Sequence, residues 1–165
     1  MYKQGEYVVK PNTGICTIES VVRMDLAGTG EKEYYLLHPV SDKRAVLYVT
    51  VDADRSRLRR VMTRDEAYDF IGKIETIEAA WIENDKQREQ SYKAALMSNE
   101  PADIVSMIKN MYFRTKDRLA QGKKVTATDE RYFQQAEKIL YSELGLAIGE
   151  PVEKIKDIIT ETIEG

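Results

Sequence analysis

The chain has 165 residues, of which 42% are apolar and 32% charged, and its formal net charge is −3. This is a globular balance with room for one ordinary domain or two small ones. It excludes a chain too polar to fold and argues against a protein that coats nucleic acid by bulk charge. There is no apolar run of membrane-spanning length, the opening Met1-Tyr2-Lys3-Gln4-Gly5 has no apolar signal region, and the single cysteine, Cys16, can make neither an internal disulfide nor a cysteine-based metal site. The expectation is a cytoplasmic protein with no cofactor, no metal and no membrane contact.

The first 62 residues read as strands. Tyr7-Val8-Val9 is a short β-forming run after Gly5, and Pro11-Asn12-Thr13-Gly14 has turn chemistry. Residues Ile15 to Met24 alternate, with Ile18 and Val22 expected inward. Ala27-Gly28-Thr29-Gly30 then connects to a third strand at Tyr34-Tyr35-Leu36-Leu37. A fourth strand is expected over Ala45 to Val51, reached through Ser41-Asp42-Lys43, and a short fifth over Leu58 to Met62. Five short strands in so little chain predict a small, strongly bent sheet or barrel.

After residue 62 the period becomes helical. Thr63 with Glu66 has capping-box spacing, and Ala67, Phe70, Ile71 and Ile74 follow at helical intervals. Glu83 to Met97 is a polar helix anchored chiefly by Tyr92 and Leu96. Asn99-Glu100-Pro101 starts the next, with Ile104, Ile108, Met111, Thr115 and Leu119 on one face and Gly122 as its stop. Thr126 with Asp129 opens a further helix bearing Tyr132, Phe133, Ala136, Ile139, Leu140 and Leu144 and ending near Gly149. Pro151 opens the last, with Val152, Ile155, Ile159 and Ile163. The fold class is α+β by segregation: a β module over 1–62 and an all-α module over 63–165.

Charge is unevenly spread. Lys109 to Lys124 holds six basic residues against one acid, whereas Glu137 to Gly165 holds seven acids against three bases. The basic run, interleaved with Tyr112 and Phe113, has the composition of a phosphate-binding stretch, and equally that of a solvated helix face. Phosphate-loop, zinc-protease and nucleophile-elbow patterns are all missing. One nucleophilic arrangement is conceivable, Cys16 with the lone His38 on adjacent strands; its alternative is a cysteine acting as a small core hydrophobe. Trp81, the only tryptophan, stands at the junction before the polar helix, with Lys86 and Arg88 one to two turns beyond. It suits either packing between helices or contact with a partner.

The stretch Gly5-Glu6-Tyr7-Val8-Val9-Lys10-Pro11-Asn12-Thr13-Gly14-Ile15-Cys16-Thr17-Ile18-Glu19 resembles the opening of the CarD/CdnL family of RNA polymerase-binding transcription regulators. Tyr34-Tyr35-Leu36, Leu47-Tyr48-Val49-Thr50-Val51 and Leu58-Arg59-Arg60-Val61 are similar to later family segments, with Thr50 where the family strand carries proline. In the second half, Tyr92-Lys93-Ala94-Ala95-Leu96 and Ala136-Glu137-Lys138-Ile139-Leu140-Tyr141-Ser142-Glu143-Leu144 also fit. The resemblance implies a Tudor-like β-barrel that binds the polymerase β subunit, a module shared with the transcription-repair coupling factor. It implies a helical domain that contacts promoter DNA at the upstream edge of the melted bubble and stabilises the open complex. It places polymerase contacts at Arg23, Met24, Tyr48, Val49 and Thr50. Trp81 becomes the minor-groove wedge, and Arg88, Lys93, Arg114, Lys116, Arg118, Lys123, Lys124 and Arg131 become largely sequence-independent DNA contacts. On this reading the protein is not an enzyme and is a monomer. The rival readings are an RNA- or ribosome-associated β-barrel, a helical bundle that binds a protein partner, and a small Cys/His hydrolase.

Overall fold

The computed structural model describes residues 1–79 and 82–165. Two compact units result, Met1–Val61 and Met62–Gly165.

The first unit is one antiparallel sheet of five strands: β1 (Tyr7–Lys10), β2 (Gly14–Met24), β3 (Lys32–Pro39), β4 (Leu47–Thr50) and β5 (Arg59–Arg60), in the order β4-β3-β2-β1-β5. Alternation puts Val8, Cys16, Ile18, Tyr35, Leu37 and Val49 on one face as the core, with Tyr2, Leu47, Val51 and Leu58 packed around them. The sheet does not close into a barrel. β4 and β5 stay at opposite edges, which leaves β4 with one unpaired side.

A bulge between Ile18 and Ser20 corrects one inward assignment. Ile18 pairs with Leu37 and is buried. Beyond the extra residue Ser20 faces Leu36 and Val22 faces Tyr34, so Val22 lies on the outer face. One inserted residue reverses the facing of everything after it. Between β4 and β5 a single helical turn, α1 (Ala53–Ser56), begins where the Asp52 carboxylate accepts from the Asp54 N–H at 3.0 Å.

The second unit is helical: α2 (Arg64–Lys73) running into a 3₁₀ turn (Ile74–Thr76), α3 (Asp85–Ser98), α4 (Pro101–Ala120), α5 (Ala127–Ile148) and α6 (Val152–Glu164). The starts follow from local chemistry. Thr63 Oγ1 accepts from Glu66 N at 3.2 Å while Thr63 N donates to Glu66 Oε1 at 3.1 Å, a complete capping box. Asn84 and Thr126 cap α3 and α5 through their side-chain oxygens. Gly149 ends α5 in the left-handed region at φ 84°. One turn earlier, Gly145 admits no side chain, because a Cβ there would lie 2.8 Å from the Glu150 carbonyl oxygen.

The core of this unit joins Ile74, Leu96, Ile104, Ile108, Met111, Leu140, Leu144, Ile155 and Ile159. The apolar face assigned to α4 stops short: Met111 is buried, but Leu119 is 59% exposed. No residue of α4 beyond Met111 is buried; in its last turns Tyr112, Arg114, Thr115 and Arg118 are only half-buried. Among the described residues, no helix is long and apolar enough to cross a membrane.

Candidate functional site

The outer face of the sheet is the first candidate surface. Directly opposed residues share a face. The register therefore sets Ser20, Val22 and Met24 of β2 opposite Leu36, Tyr34 and Lys32 of β3, and Tyr34 and Leu36 in turn opposite Thr50 and Tyr48 of β4. Tyr48 is exposed, and Met24, Val22, Tyr34, Leu36 and Thr50 are half-buried, which makes an apolar, aromatic face without a cover in its own unit. Val49 does not belong to it. As the neighbour of Tyr48 along an extended strand it points the other way, into the core, and its exposure is only 9%. Arg23, out of phase with Met24, pairs with Glu33 at 3.3 Å and Glu31 at 3.8 Å.

The β4 edge adds main-chain chemistry. Val51 N donates to Glu33 O. This fixes the phase of the β3–β4 ladder: Leu47, Val49 and Val51 turn their backbone groups toward β3, and Tyr48 and Thr50 turn theirs outward. Thr50 thus occupies a position where proline, the residue at this place in the CarD/CdnL pattern, removes no ladder bond.

Cys16 and His38 do not form a nucleophilic pair. Cys16 opposes Pro39 on the core face, whereas His38 opposes Thr17 on the other. The thiol is fully buried and donates to Gly14 O at 3.6 Å, and burial pushes its pKa up to about 11. His38 is engaged at both ring nitrogens, Nδ1 with Ala45 O at 2.8 Å and Nε2 with Glu19 Oε2 at 2.6 Å. Two acceptors favour the imidazolium, so its pKa is raised, first by the carbonyl and then by the carboxylate. Among the described residues, no group of three or more His, Cys, Asp and Glu side chains could hold a metal ion.

The second candidate surface is in the helical unit, where the basic residues divide into two kinds. Arg88 is corrected from the exposed set: it is 5% exposed and committed inside the unit. Its Nη2 donates to Asp85 Oδ1 at 2.8 Å, its Nε lies 3.8 Å from the buried Asp129, and Nη1 donates to the carbonyls of Ile82 and Glu83. Burial opposes the charge of Arg88, but Asp85 and Asp129 outweigh it and hold the guanidinium above its ordinary range. Arg114, also largely covered, donates from Nε to Asp129 Oδ2 at 2.9 Å. Two arginines thus meet two aspartates where α3, α4 and α5 converge, and their charges cancel. Asp85 is held below its ordinary range chiefly by the Arg88 hydrogen bond.

The other cations expected at DNA lie outside. Lys123 and Lys124 follow α4, where cations suit the negative end of a helix, and Arg118 Nε donates to the Lys124 carbonyl at 2.9 Å. That bond gathers Arg118, Lys123 and Lys124 at one helix end, with the exposed Lys116 a half-turn before. Lys93 and Arg131 come together around Glu89, at 3.9 and 3.8 Å, and the Arg131 guanidinium lies 5.1 Å from the centre of the Tyr132 ring. Lys109, the first base of the sequence run, is buried, with its ammonium on the carbonyls of Ile74 and Ile77. Trp81 lies outside the described residues. The burial of Lys109 has no local signal, because its partners are main-chain carbonyls remote in sequence, and that of Arg88 has only Asp85 three residues before it, its buried partner Asp129 being remote.

Residues 2–62 match the family model of the CarD-like/TRCF RID domain. No curated protein is similar enough to the chain to count as a match.

Proposed function

Residues 2–62 form a CarD-like/TRCF RID domain, an RNA polymerase-interacting module of the CarD type, and from that premise we propose that the chain regulates transcription by tethering a DNA-contacting helical unit to the polymerase β subunit. The observation that carries this reading is the β4 edge, with the outward backbone groups of Tyr48 and Thr50 beside a face of Tyr48, Leu36, Tyr34 and Val22 that has no cover in its own unit. A partner strand adds to such an edge through main-chain bonds, and side chains on the adjoining face supply the choice of partner.

The helical unit then contacts promoter DNA at the upstream edge of the bubble. Lys93, Lys116, Arg118, Lys123, Lys124 and Arg131 meet phosphates without reading sequence, and Trp81 acts as the minor-groove wedge that stabilises the open complex. The small number of exposed bases suffices, because polymerase docking supplies a high local concentration. Catalysis has no part in this role.

The test uses the full chain and a purified β-subunit fragment. Tyr48→Pro removes an outward N–H without touching the β3 ladder and lowers capture about tenfold or more, whereas Tyr48→Ala, which keeps the N–H, has the smaller effect. Equal capture by Tyr48→Pro and the native chain overturns edge docking. For the helical unit, Trp81→Ala shortens the lifetime of the promoter open complex while fragment capture is unchanged. An unaltered lifetime removes the wedge.

A further inference from the structure

One side chain ties together three parts of the sheet unit beside the docking edge. His38 lies on β3 and opposes Thr17, so it stands on the outer face with Leu36 and Tyr34 of the same strand. Its Nδ1 meets Ala45 O at 2.8 Å, and its Nε2 meets Glu19 Oε2 at 2.6 Å. Ala45 belongs to the connection that leads into β4 and precedes Leu47, the first residue of that strand, by two positions. Glu19 is the extra residue of the β2 bulge, falling between the pairs Ile18–Leu37 and Ser20–Leu36. The clasp therefore runs from the bulge, across β3, to the entry of the edge strand.

That entry has few other fastenings. β4 is four residues long and pairs on one side only, with β3. The connection before it is exposed over most of its length. Ala45 N donates to Asp42 O at 3.1 Å and Arg44 N to Asp42 Oδ1 at 3.1 Å, bonds that shape the turn from within. Val40 N, donating to Ile15 O at 3.0 Å, fastens the start of the connection to the sheet, and His38 fastens its end. A partner strand would meet Tyr48 and Thr50 only a few residues later. An edge that must be ordered on binding loses affinity to that ordering, and an entry held beforehand avoids the loss.

We propose that His38 is a positioning residue for strand addition at β4, holding the entry of that strand through Ala45; this rests on the reading of β4 as the docking edge. Both ring nitrogens donate only in the imidazolium. A neutral ring keeps one proton. The Glu19 carboxylate is the stronger acceptor, so it retains that proton on Nε2 and Ala45 O is released. The groups facing the ring are Thr17 and Glu19 from β2 and Ala45 from the connection, and of these Glu19 alone is ionisable. Asp42, Lys43 and Arg44 of the connection do not act on it. The carbonyl first, and then the carboxylate, raise the pKa of His38. The clasp is therefore whole below the ordinary value near 6.5 and opens at Ala45 as pH rises through the higher folded value. Docking weakens on the alkaline side.

The experiment measures the dissociation constant of the full chain for the purified β-subunit fragment from pH 6 to pH 9. His38→Ala binds about fivefold more weakly than the native chain at pH 6, the effect of one hydrogen bond, and about equally at pH 9. Taking this ratio at each pH cancels the titration of the fragment itself. His38→Asn, whose amide N–H stands near the place of Nδ1, binds like the native chain at pH 6 and more tightly than it at pH 9. Glu19→Gln removes the charge that holds the proton and moves the native loss to lower pH. Circular dichroism at each pH checks that the variants are folded, and His38→Asn carries the test where His38→Ala folds poorly. A ratio that does not change with pH overturns the positioning role, because lost packing alone has that signature. Native affinity for His38→Ala beside weak capture of Tyr48→Pro also overturns it and leaves edge docking intact. Native capture of Tyr48→Pro removes edge docking, and the role of His38 with it.

Discussion

The two units solve the problem of buried polarity in opposite ways. The core of the sheet unit, from Val8 to Val49, contains no buried charge. Arg88, Asn99, Lys109, Asn110, Asp129 and Glu143, the buried polar and charged residues among those described, all belong to the helical unit. A sheet satisfies its backbone by pairing strands, so its interior can be wholly apolar. Helices leave N–H and C=O groups unpaired at every end. Here long-range side chains meet several of these needs: Glu143 accepts from Met62 N at 2.9 Å ahead of α2, and Lys109 takes up carbonyls after it. The difference teaches that polar burial in this chain follows the helix ends and the connections between them.

The contrast breaks most severely at Asp129. Asp129→Ala leaves Arg88 and Arg114 without their shared carboxylate and costs the helical unit about 3–5 kcal/mol. The check is denaturant unfolding followed by circular dichroism at the helical signal. In the sheet unit the corresponding injury is a cavity: Leu37→Ala, at a fully buried site, costs about 3 kcal/mol and reduces polymerase-fragment capture through loss of the sheet. Smaller still is the removal of exposed charge. Lys123→Ala with Lys124→Ala leaves stability within about 0.5 kcal/mol of native and lowers the slope of log affinity for DNA against log salt by about one for each phosphate no longer neutralised. If the slope does not change, those lysines do not face DNA.

The smallest expected effect is that of His38. Its folded pKa lies above its ordinary value, because the imidazolium donates to Ala45 O and Glu19. The folded state therefore binds the proton more tightly than the unfolded chain. The resulting stabilisation is complete below the unfolded pKa near 6.5 and is lost as pH rises through the higher folded value. Unfolding midpoints of the native chain and of His38→Asn, compared from pH 5 to about 9, converge on the alkaline side. Midpoints separated by a constant amount across that range contradict the clasp.

What is legible in the sequence is what is local. Thr63 with Glu66 and Thr126 with Asp129 cap helices because both partners lie within one turn. Tyr92 and Leu96 are readable as the anchors of α3 from spacing alone. Leu119 misleads, because periodicity describes a stripe on a helix and does not say where the covering helices end. Val22 misleads because a bulge, which shifts phase by one residue, leaves no mark in an alternating run. Val49 groups with Tyr48 and Thr50 as one contiguous stretch of sequence, whereas the pleat sends its side chain inward. Arg88 has the look of a surface base and is withdrawn by Asp129, a partner that only tertiary structure brings close.

The ladder phase at β4 has a further consequence, for how this surface can change over generations. An outward-facing backbone N–H or C=O is encoded by no codon: apart from proline, any residue at 48 or 50 presents the same groups. Side chains there can drift while the rim that a partner strand would meet keeps its groups; threonine at 50, where the CarD/CdnL pattern has proline, adds an outward N–H to that rim. Constraint falls instead on Leu37, Tyr35 and Val49, the buried residues that hold β4 in register from behind.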